Sequence, residues 1–343
     1  MQELHKHLSG RAASFAVAAL LAGLAAIPAS ATEWSAWVGA QTADHGSQAL
    51  AFLPNEFWIH AGDSIRFMFM TNELHTVSFL KAGQTRPAAF SSVGINGNVF
   101  VGCPGTTPDA SSFDNSACLT SAPSTIGQTY TVNFPSANNF KLVCLVHSRM
   151  TGAIHVLPLA ETLPYDQAHY DEQAHRDGDK VLFDAYDLQG RRGEENERTS
   201  THRVTAGMSA ILANGGGSKT VAVMRFLGAT TVVHVGDTVE WTNLSTPVFH
   251  TVTFGTEPAN DMPPTPGVVT MDSDGVRHAV ISLPNASVNS GFIGAPNQET
   301  VGQPQAALDM TRFRVTFTGT GTFNYICALH DDIGMTGTVI VRQ

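Results

Sequence analysis

Charge is scarce in this chain: Lys, Arg, Asp and Glu make up 14% of 343 residues, and 19 basic side chains face 29 acidic ones. A surface that tracks nucleic-acid phosphates needs clustered Lys and Arg, so this balance argues against nucleic acid as a partner. Long apolar runs are just as scarce. The longest lies near the start, is only about 15 residues, is interrupted by Gly23, and falls short of the roughly 20 that a spanning helix needs. Preceded by Lys6 and Arg11 and followed by Pro28 and Ala29-Ser30-Ala31, it reads as a secretory signal over residues 1–31, cut after Ala31. No cysteine occurs before Cys103, which argues against lipid attachment through an N-terminal cysteine. Nucleophile motifs, phosphate loops and paired carboxylates are also missing, and the one His-x-His string, His5-Lys6-His7, sits inside the expected signal.

What is present describes a folded, exported protein, periplasmic or extracellular, with no stable membrane span in its mature form. Apolar residues reach 43%, and the length suits two domains. Without residues 1–31 the chain keeps 17 basic and 28 acidic residues. The four cysteines fall into two contexts. Cys103 and Cys118 flank a polar loop, CPGTTPDASSFDNSAC, and in an oxidising compartment they most simply form a disulfide. Closing a loop of about 15 residues stabilises a fold by about 3 kcal/mol in the chain-entropy model. Cys144 and Cys327 instead open two related motifs, CLVHSRM and CALHDDIGM.

The likeness between the halves extends upstream, from FWIHAGDSIRFMFMTNELHTVSFL at 57–80 to TVVHVGDTVEWTNLSTPVFHTVTFG at 231–255. Period-two alternation around Ile65 and Phe67, and around Val239 and Trp241, predicts strands with one buried face, joined by turns at Gly62-Asp63 and Gly236-Asp237. Each half is expected to be a small all-β sandwich, residues 32–158 and 203–343. The connecting stretch, 159–202, holds eleven acidic and five basic residues. Pro164 suits a first helical turn, and Val181, Leu182, Ala185 and Tyr186 lie at helical spacing, so this linker is expected to be partly helical, with an interruption near Gly178.

Each motif pairs a cysteine with a histidine three residues on and a methionine soon after, while His75 or His250 lies on an earlier strand. A thiolate, two imidazoles and a weak axial thioether are the ligand set of a blue-copper electron-transfer site. One Cys-x-x-His is a weak signal; the full set occurring twice, each time with a His-Thr-Val strand, is strong. Both halves resemble cupredoxins of the plastocyanin, amicyanin and pseudoazurin kind. The resemblance implies two Greek-key β-sandwiches and two type 1 copper ions. The first would be held by His75, Cys144, His147 and Met150, and the second by His250, Cys327, His330 and Met335. The Cys-x2-His-x4-Met spacing of the second is similar to plastocyanin and the shorter loop of the first to amicyanin. Thr76 and Thr251 stand where asparagine is familiar in plastocyanin, and their hydroxyls are candidates for hydrogen bonding around the site.

Two such domains in one chain are also similar to copper nitrite reductases and two-domain laccases. Those enzymes place further histidines beside the cysteine, whereas Cys144 lies between Val143 and Leu145 and Cys327 between Ile326 and Ala328. The expectation is therefore an electron carrier and not an enzyme, with no His-Cys-His or His-x-His catalytic copper ligands in the mature chain. Implied partners are redox proteins such as a cytochrome or a copper oxidoreductase, with oligomerisation left open. The alternatives are copper handling in the envelope and a non-catalytic subunit of a larger multicopper oxidoreductase.

Overall fold

Residues 31–86, 103, 105–199, 202–258, 268–303 and 305–343 are described by the computed structural model; the expected signal, apart from Ala31, and His5-Lys6-His7 lie outside them. The first half contains β1 (Glu33–Gln41), β2 (Ser47–Leu53), β3 (Glu56–His60), β4 (Ser64–Phe69), β5 (Ser78–Phe79), β6 (Ser111–Ser112), β7 (Leu119–Thr120), β8 (Thr129–Asn133), β9 (Asn138–Val143) and β10 (Thr151–Leu157). A helix, α1 (Gln167–Thr199), follows. The second half contains β11 (Arg203–Asn214), β12 (Gly217–Leu227), β13 (Thr230–His234), β14 (Thr238–Leu244), β15 (Thr253–Phe254), β16 (Val269–Met271), β17 (Arg277–Ile281), β18 (Val288–Asn289), β19 (Arg312–Phe317), β20 (Gly321–Ile326) and β21 (Thr336–Arg342).

Where one strand face meets water, burial alternates as the sequence predicts. Ile65, Phe67 and Phe69 of β4, Val239 and Trp241 of β14, and Phe313, Val315 and Phe317 of β19 all point into the cores. The Gly-Asp turns are closed by their aspartates, which accept the backbone N–H of His60 (2.9 Å, from Asp63) and of His234 (2.8 Å, from Asp237). Each half is a sandwich with a five-stranded sheet of its own, β3-β10-β9-β5-β7 or β13-β21-β20-β15-β18.

The opposite layer is shared. One eleven-stranded sheet runs β16-β17-β19-β14-β11-β12-β2-β1-β4-β8-β6, joined at its middle by antiparallel pairing of β2 with β12, with Leu50 opposite Thr220 and Ser47 opposite Val223. These two strands break the period of two because both their faces are covered. Every residue of β2 is buried: Leu50 and Phe52 enter the first core, while Ala49, Ala51 and Leu53 meet α1.

The helix begins later than expected and is unbroken. Asp166 caps it by accepting the N–H of His169 (2.9 Å), so Pro164 precedes the first turn. The expected interruption near Gly178 does not occur: α1 is continuous over 33 residues. Its buried stripe is Tyr170, Ala174, Gly178, Val181 and Ala185, and a Cβ on Gly178 would lie 3.4 Å from Leu53 and 3.6 Å from Ala40. Close seating on the sheet therefore outweighs glycine's helical cost of about 1 kcal/mol. Asp177 pairs with Lys219 of β12, and Gln167 bonds the backbone of Ser35, which ties the helix to both halves. Tyr186, expected on the stripe, is exposed. Among the described residues no helix is long and apolar enough to cross a membrane.

Candidate metal centres

The last residue of β9 is Val143 and that of β20 is Ile326, so each cysteine sits where a strand turns into a loop. That loop then folds back on its own cysteine. Cys144 donates its N–H to the carbonyl of Met150 (3.0 Å), and Cys327 does the same to Met335 (3.0 Å). Each methionine is thereby held beside its cysteine, fully buried. In the second loop the two extra residues form a turn closed by Gly334 N–H to Asp331 carbonyl (2.9 Å). They place Ile333 in the core of the first half, where its carbonyl accepts from Arg225 (2.7 Å).

Folding brings together two buried groups, His75 with Cys144 and His147, and His250 with Cys327 and His330. In the first, Cys144 Sγ lies 4.0 Å from His75 Nδ1 and 3.9 Å from His147 Nδ1, which are 3.1 Å apart. In the second the corresponding distances are 3.8, 3.4 and 3.2 Å. Triangles with these edges have a centre about 2.1 and about 2.0 Å from each donor, the distance at which thiolate and imidazole hold a d-block ion. The donor set thus fits a copper ion. These groups correct the expectation that the mature chain lacks His-Cys-His or His-x-His catalytic copper ligands: adjacency in the sequence was the wrong test, because the fold brings a distant histidine, His75 or His250, to each Cys-x-x-His loop. Cys103 and Cys118 form the disulfide.

Thr76 and Thr251 hold the cysteines twice over. Their N–H groups donate to Sγ of Cys144 (3.4 Å) and Cys327 (3.3 Å), and their hydroxyls accept the N–H of Leu145 (2.8 Å) and Ala328 (2.7 Å). The second group's thiol is burdened by burial, but cationic His330 and hydrogen bonds from His250 and His330 outweigh this and bring Cys327 down to about 5. Conversely, burial works against a charged His330, but Cys327 and Glu73 lift it to about 10. In the first group Cys144 is held well below the usual thiol range, and His147, despite its burial, is raised to about 9 by Cys144 and Glu73. Burial pushes His75 and His250 down.

Three further residues shape the sites and carry no motif. Gly39 and Gly207 form bulges in β1 and β11 at φ +75 and +72, and the imidazoles of His75 and His250 back onto them. Glu73, almost fully buried, places Oε1 3.3 Å from His147 Nε2 and Oε2 3.3 Å from His330 Nε2. An unbroken file of polar atoms consequently runs Cys144–His147–Glu73–His330–Cys327, beside a small cavity lined mainly by apolar residues of both halves, among them Leu74, Val146, Val248 and Phe249.

Residues 213–342 match the family model for copper binding proteins of the plastocyanin/azurin family. Among solved structures, the oxidized plastocyanin of Dryopteris crassirhizoma is 20% identical, covering 41% of this chain and 99% of its own, at a TM-score of 0.21. The purple cupredoxin of Nitrosopumilus maritimus is 19% identical, covering 41% and 98%, at 0.21. Reduced auracyanin of Roseiflexus castenholzii is 18% identical, covering 38% and 98%, at 0.24. Scores this low carry no argument about function. No curated protein matches the chain.

Proposed function

Since residues 213–342 match the family model for copper binding proteins of the plastocyanin/azurin family, we propose that the chain is an exported blue-copper electron carrier with one type 1 copper in each half. The observation that carries this reading is the pair of buried thiolate–imidazole triangles, each with a buried methionine tied to its cysteine. His75, Cys144, His147 and Met150 would hold one ion, and His250, Cys327, His330 and Met335 the other. The proposal includes the layout of a signal over 1–31, domains over 32–158 and 203–343, and the linker 159–202. Copper in such a set supplies one-electron redox chemistry. The chain's own residues exclude water from the donors, and Thr76 and Thr251 steady the sulfurs, so the donors have little room to rearrange. A carrier, not an enzyme, exchanging electrons with redox proteins such as a cytochrome or a copper oxidoreductase, is the function these features support best.

Copper titration of the reduced metal-free protein, followed by visible and EPR spectra after oxidation, tests the reading. Two ions bound, with an intense thiolate-to-copper band and narrow hyperfine splitting, are expected. Cys144→Ser and Cys327→Ser should each remove one band and one ion and leave the other; a normal type 2 signal in place of the bands would refute it.

The proton balance of loading is a second test. At neutral pH each metal-free site holds a thiolate and an imidazolium, so one proton per Cu(I) is expected to leave, from His147 or His330. Because those histidines are raised, affinity should climb about tenfold per pH unit from neutrality and level off near pH 9 in the first site and 10 in the second. An unbuffered titration read with a pH electrode measures this. Two protons per ion would show that the thiols start protonated.

A further inference from the structure

The four imidazoles of the two triangles differ in what backs them. Nε2 of His75 and of His250 faces a bulge glycine and has no hydrogen-bond partner among the described residues, whereas Nε2 of His147 and of His330 meets a carboxylate. That carboxylate is the same one for both. Glu73 comes from the first half alone; the matching position of the second half is Val248. Its surroundings are apolar, so each Nε2–H would lose its acceptor if Glu73 were removed, and a buried donor without a partner costs about 1–3 kcal/mol.

We propose that Glu73 is a positioning residue shared by both metal centres: one carboxylate, an oxygen to each side, fixes His147 and His330 in the tautomer that carries hydrogen on Nε2 and offers the Nδ1 lone pair to a metal. The inference rests on reading the two triangles as copper sites. Nδ1 of both rings already faces a cysteine sulfur, at 3.9 Å in the first site and 3.4 Å in the second, so the tautomer and the ring angle are set together. Sharing also makes the residue hard to replace. A carboxylate has acceptors on both sides, whereas a carboxamide of the same shape has an acceptor on one side and a donor on the other. Glu73→Gln therefore suits one histidine only. Facing the other, its NH2 favours the tautomer with hydrogen on Nδ1, which cannot bind metal through that atom.

Cu(I) competition titrations of the full chain, followed by spectra of the oxidised protein, test this. In Glu73→Gln one site is expected to keep its affinity and thiolate band while the other loses roughly ten- to a hundredfold in affinity. Glu73→Ala should weaken both, with the far-UV spectrum of the wild type retained. A measurement on the wild type alone guards against a variant that fails to fold: 15N spectra of the Cu(I)-loaded protein should show Nε2–H of His147 and His330, both slow to exchange with solvent. Two unchanged sites in Glu73→Gln, or fast-exchanging or absent Nε2–H on either ring, would overturn the role of Glu73. A wild type that takes up no copper would instead overturn the reading of the triangles, and this inference with it.

Discussion

Changing Gly207 to alanine is expected to weaken metal binding at the second triangle sharply and leave the first intact. A Cβ at Gly207 would fall 2.0 Å from Nε2 of His250, 2.6 Å from Cδ2 and 2.8 Å from Cε1. Alanine has no rotamer with which to avoid that contact, so the imidazole must move. His250 is fully buried, and its Nδ1 stands 3.2 Å from His330 Nδ1 and 3.8 Å from Cys327 Sγ. Donor sets tolerate displacements of only about 0.5 Å, so pushing the ring back to ordinary contact opens the triangle. Cu(I) affinity at that site should drop by on the order of a hundredfold, and its thiolate band should vanish while the other persists.

Two companion variants separate collision from backbone strain. Gly236 has φ +96, and a methyl group added there would meet nothing within 4 Å, so Gly236→Ala carries the left-handed penalty of about 1–2 kcal/mol without a clash, and both bands should remain. Gly39 meets Thr71 Cγ2 at 2.2 Å but His75 Nε2 only at 3.0 Å, so Gly39→Ala should disturb the first site less than Gly207→Ala disturbs the second. Equal metal loss in Gly236→Ala and Gly207→Ala would show that strain, and not the ring contact, controls the site.

These glycines show where the sequence was readable and where it was not. The cysteine, its histidine and its methionine lie within one short loop, and the chain repeats that loop, so spacing sufficed to single out the cysteine and histidine that the fold brings together. His75 and His250 followed from the shared strand pattern. Gly39 and Gly207 offered no such signal, because a bulge glycine becomes visible only when a ring is found against it. Glu73 was still less accessible: its partners lie in two different loops, and its counterpart in the repeat is Val248. The shared sheet was hidden for a related reason. β2 and β12 lose the period of two because the helix and the cores cover both faces, and a strand of that kind reads as an apolar run with no stated neighbour. Gly178 misled in the opposite direction, since local propensity argued for a break that sheet packing overrides.

The helix supplies the other large effect, at Tyr170. Its ring is fully buried between Trp34, 5.7 Å away edge-on, and Phe57 at 4.3 Å. Its hydroxyl accepts the N–H of Trp58 (2.8 Å) and donates to the carbonyl of the same residue (3.1 Å), which pairs both backbone groups of Trp58 on the edge of β3 that no strand among the described residues covers. Tyr170→Ala should therefore cost about 3–5 kcal/mol for the lost ring, with a further penalty for the edge groups left without partners. Tyr170→Phe isolates the hydroxyl and should cost about 1–3 kcal/mol. Denaturant midpoints of the two variants, compared at unchanged slope, measure both. The pH dependence then identifies the hydroxyl as the cause. Burial raises Tyr170 from 10.0 to about 12, so the native state holds this proton more tightly than the unfolded chain does. Its stabilisation is complete below pH 10 and is lost as pH rises from there through about 12. The gap between wild type and Tyr170→Phe should narrow across that window, because only the wild type has this proton to lose. A gap that stays constant with pH would mean that the phenol is not held by β3.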